Sequence, residues 1–485
     1  MPGATVSDRV VRTLIPARMD RLPWAKFHWM VVVGLGVSWI LDGIEIQLVS
    51  ASGFKDTLGM SSEDVGFTGT VYLIGQVVGA LVFGRLTDRW GRKKLFIVTL
   101  AIYLVGSGVA GLAWTPWFLY FWRFVAGLGI GGEYTAINSA IDEMIPSRYR
   151  GRVDIAVNGT YWAGAMIGAV GSFVLLNHAV LPEYLGWRVA FFIGPILGLV
   201  IIYLRRHIPE SPRWMLTHGH ADEAERIVEG IEASVAAKGV VLPLVDEGRA
   251  MTVKPEVSVS FGQLMTVFFK QYPSRTFLGI TMMVTQSFLY NAIFFTYALV
   301  LQNFYGLNAS QASLYFFPFA IGNLIGPLLL GPLFDSIGRR RMIFGTYALA
   351  GLTLLVSAYL FKIGVLTAQT HTVLWCVSFF FASAGASSAY LTVSEIFPIE
   401  VRGQAISYFF AVGQVVGAFG PLIFGSLVGD GTARDPLFWG YVVGAVVMIF
   451  GGLVALVFGV DAEGRTLEDI ADPLTKVSTA ASPAT

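Results

Sequence analysis

Asp42, Glu45, Arg123 and Glu133 stand inside long apolar stretches of the chain. A charge near the middle of a bilayer costs about 2.5–3.5 kcal/mol on insertion scales, so intramembrane charges mark function by default. Asp42 and Glu45 lie one turn apart on the same face of a helix. If the stretch 29–51 runs outward and 117–141 runs back, Glu45 and Arg123 both lie about six residues, roughly 9 Å, below the same surface. An arginine beside one of two close carboxylates is suited to a proton switch. The carboxylate ionises when it is paired and holds a proton when the pair breaks. The plainer alternative is a permanent structural ion pair. Glu133 sits nearer the other surface and reads evenly as a binding or gating group or as a buried structural contact. An anionic solute would find in Arg123 the one intramembrane cation available to it. Tyr134, Trp162, Gln286, Tyr290, Asn291 and Tyr390 are candidates to line a central cavity. Packing between helices is the other use for the aromatic ones.

The elements that must hold these residues follow from composition. Hydrophobic residues make up 55% and charged residues 13%, and the mean hydropathy is +0.65. A soluble chain carries roughly 25% charge, so this is an integral membrane protein. The net charge of +1 does not suggest nucleic-acid binding. The single cysteine, Cys376, excludes an intrachain disulfide. No metal-spaced His or Cys cluster and no nucleophile motif stands out, so neither a cofactor nor an enzyme is expected. Twelve apolar segments have the length of a bilayer-crossing helix, near 29–51, 65–84, 95–114, 117–141, 153–176, 188–204, 276–301, 311–333, 342–361, 372–393, 404–428 and 437–460. Most of the 33 Lys and Arg fall in the two tails and the even-numbered gaps, whereas Lys55, Arg188, Lys362 and Arg434 fall on the other side. That bias puts both termini in the cytoplasm of a multi-pass protein, with the plasma membrane as its expected place. The expected organisation is an N-tail (1–28), a six-helix bundle (29–204), a linker (205–275), a second six-helix bundle (276–460) and a C-tail (461–485). Within the linker, 221–238 reads as a soluble amphipathic helix. In the N-tail, Val10, Val11, Leu14 and Ile15 are expected to touch the membrane surface.

Two loop patterns occur twice. GRLTDRWGRKK, with Gly84, Asp88, Arg89, Gly91 and Arg92, returns as GPLFDSIGRRR, with Gly331, Asp335, Gly338 and Arg339. Glu143 with Arg150-Gly151 returns, at nearly the same offset, as Glu395 with Arg402-Gly403. Matched spacing of two unrelated motifs signals an internal duplication. Asp88 and Asp335 can accept from the start of a neighbouring helix and pair with arginine. Glu143 and Glu395 offer partners for the loop arginines. Such clusters could latch the cytoplasmic mouth in one state. A purely topogenic role for the basic loops is the alternative, and the two copies favour the latch.

These motifs resemble the major facilitator superfamily over nearly the whole chain. RFVAGLGIGGEY, IPESPRW and GRTLEDI are similar to its sugar-porter branch. The resemblance implies two six-helix bundles with inverted repeats around a central cavity and alternating access. It also implies that Glu45 matches the span 1 acid of proton-coupled porters, with Arg123 as its partner. The chain departs from hexose porters at Thr285, Leu289, Ala163 and Ala389-Tyr390. RMDRLPWAKFH, Asp42-Gly-Ile-Glu45 and the GGE ending at Glu133 resemble bacterial metabolite:proton symporters related to the synaptic vesicle glycoprotein group. The implied function is proton-coupled symport of a small organic solute, a carboxylate metabolite before a sugar, by a monomer. A passive facilitator and a non-transporting sensor are the rivals.

Overall fold

The computed structural model describes residues 11–50, 54, 57–60, 62–175, 180–205, 209–253, 259–294, 296–307, 314–429 and 431–474. In lipid the backbone must satisfy its own hydrogen bonds, so long apolar segments become helices. The first group is α2 (Lys26–Ser50), α3 (Ser62–Trp90), α4 (Arg92–Ala110), α5 (Pro116–Met144), α6 (Ser147–Leu175) and α7 (Glu183–Arg205), after a short α1 (Ile15–Arg21). The linker carries α8 (Pro212–Thr217), α9 (Ala221–Ala236) and α10 (Phe261–Thr266). The second group is α11 (Pro273–Phe294) with α12 (Tyr297–Tyr305), α13 (Phe316–Ser336), α14 (Arg339–Lys362), α15 (Ala368–Ile396), α16 (Arg402–Gly417) with α17 (Phe419–Val428), and α18 (Asp435–Phe458). A single turn, α19 (Leu467–Ile470), follows.

Among the described residues, nine stretches are long and apolar enough to cross a membrane. The other three expected spans are α5, α6 and the α16–α17 pair. The first two carry buried charges, and the third is interrupted after Gly417. Large apolar side chains such as Trp117, Leu199, Leu329 and Val457 face outward, as lipid-facing surfaces require.

Within the first group α3 packs on α5, α2 on α6 and α4 on α5; within the second, α14 packs on α18 and α13 on α15. Small residues make the closest of these contacts. A Cβ on Gly131 would run into the Gln76 carbonyl, so α3 and α5 touch backbone to backbone there. The two groups meet through α3 against α16 and α6 against α13, with α15 reaching α5 and α6.

The N-tail does not lie along a membrane surface from Val11 onward; Val10 is outside the described residues. Val11–Thr13 (β1) pairs antiparallel with Met251–Val253 (β2) of the linker. Ile15, Met19 and Leu22 bury against Ala224, Val228 and Ile231 of α9. Arg18 bonds Glu232 at 2.7 Å and also pairs with Glu225, while Arg21 bonds Glu232 at 2.6 Å. A partner with both an apolar face and matching carboxylates outcompetes the lipid surface. Burial pushes the Glu232 carboxyl up, but the hydrogen bonds and charges of Arg18 and Arg21 outweigh it and hold it below the usual range.

Candidate functional site

A cavity of about 980 Å³ lies between the two helix groups, at the upper end of the size range for small-molecule sites. Seven of the residues singled out from sequence lie on its wall: Arg123, Tyr134, Trp162, Gln286, Tyr290, Asn291 and Tyr390. Trp39, Tyr72, Gln76, Asn158, Tyr161, Ser383, Ser387, Phe410 and Gln414 join them. Most of the wall is ring and hydrocarbon, with amides and hydroxyls at intervals. Trp39 and Tyr134 stack with ring centres 4.5 Å apart. The Tyr290 hydroxyl donates to Asn323 at 2.7 Å, which fixes the ring against the cavity. Gln76 and Gln414 come from two copies of the hexapeptide GQVVGA, on the facing helices α3 and α16.

Asp42 is fully buried. The Tyr72 hydroxyl donates to it at 3.0 Å, and the Tyr134 hydroxyl donates to its other oxygen. Both tyrosines also line the cavity, so the carboxylate sits one side chain behind the wall. The Arg123 guanidinium lies 4.1 Å from the centre of the Tyr72 ring. Tyr72 therefore touches both the acid, through its hydroxyl, and the cation, through its face. Neither Tyr72 nor Trp39 stands out in the sequence, since an aromatic residue in an apolar helix shows no sign of the face it takes. Glu45 lies on α2, but its side chain is outside the described residues. Glu133 is fully buried and is not part of the cavity wall.

Below the cavity, on the side of the basic loops, the two helix groups are locked together. Glu143 accepts from Arg92 of its own group at 2.7 Å and faces Arg402 of the other at 3.5 Å. Glu395 accepts from Arg339 at 3.0 Å and from Arg150 across the interface at 3.2 Å. The repeated Glu–Arg-Gly segments thus trade partners: each glutamate reaches the arginine of the other copy. All of these side chains are essentially buried. Asp335 accepts from the backbone N–H groups of Gly151 and Arg152 and pairs with Arg339 at 2.8 Å. Gly84 lets α3 close on Ser407 of α16. Arg89 is exposed, and the Asp88 side chain is outside the described residues.

Two further carboxylates cap this cluster. Gly91 and Gly338 take φ of 93° and 110°, a conformation that favours glycine. The turns bring the N-terminus of α4 to Glu210, which accepts from Arg92 and Lys93 backbone N–H groups at 2.9 and 3.1 Å. The N-terminus of α14 reaches Glu463 in the same way, at 3.3 Å from Arg339. Burial pushes the Glu210 carboxyl above the usual range, against the backbone N–H of Ser211 and the charge of Arg92. Arg213 ties the parts together, hydrogen-bonding Asp20 of the N-tail at 2.7 Å and forming an ion pair with Glu468 of the C-tail at 3.2 Å. Burial opposes its charge, yet Glu468 and Asp20 raise it overall.

This architecture agrees with the family comparison: residues 41–473 match the model of the sugar (and other) transporter family. The chain belongs to that family. It is a multi-pass membrane transporter and not an enzyme. Its relatives include the niacin transporter NiaP of Acinetobacter baylyi, 26% identical with 94% of this chain and 99% of that protein aligned. The inner membrane metabolite transport protein YdjE of Escherichia coli is 25% identical, with 94% and 98% aligned. Among solved structures, the major facilitator superfamily proton:xylose symporter XylE superposes with a TM-score of 0.75 over 92% of this chain and 98% of that one. At 18% identity that likeness shows the fold.

Proposed function

We propose that this transporter is a proton-coupled symporter of a small organic solute, working by alternating access, and that the solute is a carboxylate metabolite, aromatic or another organic acid. The observation that carries the reading is Asp42. A fully buried acid, held by two tyrosine hydroxyls that also face the cavity, has a direct line to whatever the cavity holds. A passive carrier has no use for such a group. Arg123, on the face of Tyr72 and on the cavity wall, is the cation for a solute carboxylate. The ring-rich wall suits a flat apolar body, and the amides suit its polar edge. A relative named for niacin, a pyridine carboxylic acid, supports this solute class. A sugar:proton symporter is the second reading, supported by the fold shared with a proton:xylose symporter. A facilitator or a non-transporting sensor would leave Asp42 without a role.

On this reading residues 29–204 and 276–460 are the two rocking bundles, 205–275 joins them, and residues 1–28 and 461–485 are cytoplasmic tails. The arginine–glutamate clusters are the cytoplasmic gate of a monomeric plasma-membrane protein, shut in the state described above. The deciding experiment is solute-induced proton uptake in proteoliposomes, read with a pH-sensitive dye over a panel of sugars and of aromatic and aliphatic carboxylates. Alkalinisation outside by carboxylates, lost in Asp42→Asn and Glu45→Gln while counterflow persists, is expected. Solute entry without any proton signal would establish a facilitator and make the span 1 acids structural.

A further inference from the structure

Beneath the cavity floor, α5 and α6 run antiparallel and carry a polar ladder. Its first rung is Asn138 and Asn158, joined by a hydrogen bond of 3.1 Å. Asn158 is on the cavity wall. One turn closer to the gate, the same register brings Asp142 of α5 opposite Asp154 of α6, four residues from each asparagine. Both aspartates are 0% exposed. Neither carboxyl oxygen of Asp142 nor of Asp154 has a hydrogen-bond partner, and the Oδ1 of Asn158 above them is likewise unpartnered.

The charged groups that act on this pair are Glu395 of α15, Arg150 of α6, Arg339 of α14 and Arg402 of α16. The hydrogen-bonding arms of Arg150 and Arg339 are turned toward Glu395, and Arg402 faces Glu143. No N–H from them reaches the aspartates within hydrogen-bond distance. The Ser394 hydroxyl of α15, which donates to the Leu391 carbonyl at 2.8 Å, also bears on Asp142, but two facing carboxylates that are both fully buried cannot both stay ionised at tolerable cost. A hydrogen placed between them supplies the missing donor and removes the like-charge repulsion.

We propose that Asp142 and Asp154 form a proton-binding dyad, distinct from Asp42, that holds one shared proton while the gate is shut. Loss of that proton leaves two buried charges on α5 and α6 beside Glu395 and drives the gate apart. The gate then senses the acidity of the compartment it faces. This does not depend on Asp42 being the coupling site.

The test is infrared difference spectroscopy of the purified full-length protein in nanodiscs, following the C=O stretch of protonated carboxyl groups as pH is raised from neutral. Wild type and Asp42→Asn should both show a band that belongs to the dyad. Asp142→Asn and Asp154→Asn should each lose it, because the new amide supplies the donor that the proton supplied. A band that survives either replacement overturns the shared dyad. The asparagine variants keep side-chain shape, and size-exclusion profiles check their fold. A measurement on wild type alone stands beside them: if the band is missing at neutral pH, or if sodium ions displace it, the site is not a proton site. Solute entry into wild-type proteoliposomes without a proton signal, with this band retained, would sink only the Asp42 reading.

Discussion

On the proposed symport reading, Tyr72 is the residue on which the coupling chemistry turns. Its hydroxyl serves Asp42 and its ring carries Arg123, so its two functions can be separated by substitution. Tyr72→Phe removes the hydroxyl and keeps the ring. A hydrogen bond to a charged group is worth about 1.5–3 kcal/mol, so roughly a tenfold or larger loss of solute-driven proton uptake is expected. Tyr72→Leu removes the ring as well and should be worse, with weaker binding of anionic solutes added to the loss. Equal activity of the Phe variant and wild type in the dye assay would show that Tyr134 alone serves Asp42. Sequence makes Asp42 and Arg123 visible because charge in an apolar segment is costly and rare. Tyr72 is invisible there, because its importance lies in the face it turns toward α2 and α5.

Helix contacts explain the spacing of the glycines. Gly131 lies where α5 meets the Gln76 carbonyl of α3, and a methyl group there has no room. Gly131→Ala should force the two helices apart and cost about 1–3 kcal/mol, seen as a lower unfolding temperature in detergent. Gly230 is the matched control. It lies inside the linker helix α9 with nothing within 4 Å of a built Cβ. Gly230→Ala should stabilise that helix by roughly 0.4–1 kcal/mol through the unfolded chain. A destabilised Gly230→Ala beside an unaffected Gly131→Ala would mean that the helix spacing is misread. The tail and linker follow the same logic: Ile15 looks like a membrane contact by hydropathy, yet α9 offers it a drier partner.

At the scale of the molecule, on the proposed alternating-access reading, the shut gate is held by the buried ion pairs that cross between the helix groups, Arg150–Glu395 and Arg402–Glu143. Removing one partner of a buried pair costs about 3–5 kcal/mol because the other charge is left uncompensated. Glu143→Gln strands Arg402, on the other helix group, only while the gate is closed, whereas Arg92, on its own group, loses the Glu143 carboxylate in either state. The population should therefore shift toward the open gate by roughly a hundredfold or more. Ser407, which closes against Gly84, reports this when changed to cysteine in a Cys376→Ala background. Thiol labelling of Ser407→Cys should be slow with Glu143 intact and fast with Glu143→Gln. Unchanged labelling would make the clusters packing contacts and not a latch.

The sequence by itself determined that this chain spans a membrane many times, that its two halves are copies, and that charges such as Asp42 and Arg123 are expensive where they stand, though it passed over Asp142 and Asp154. Those facts depend only on composition, periodicity and repetition, which are properties of the chain read along its length. The tertiary structure decided which faces converge. It assembled seven separated residues on one cavity wall and placed Tyr72 between acid and cation. It crossed Arg150 to Glu395 and Arg402 to Glu143, and set Glu210 and Glu463 under two helix ends. It also stacked Asp142 level with Asp154 beneath an asparagine rung. The sequence offered the cavity candidates and the glutamate and arginine partners, but which of them meet could not be read from spacing, because it depends on how the two helical groups dock and on the register of antiparallel helices, which are fixed by packing between residues far apart in the chain.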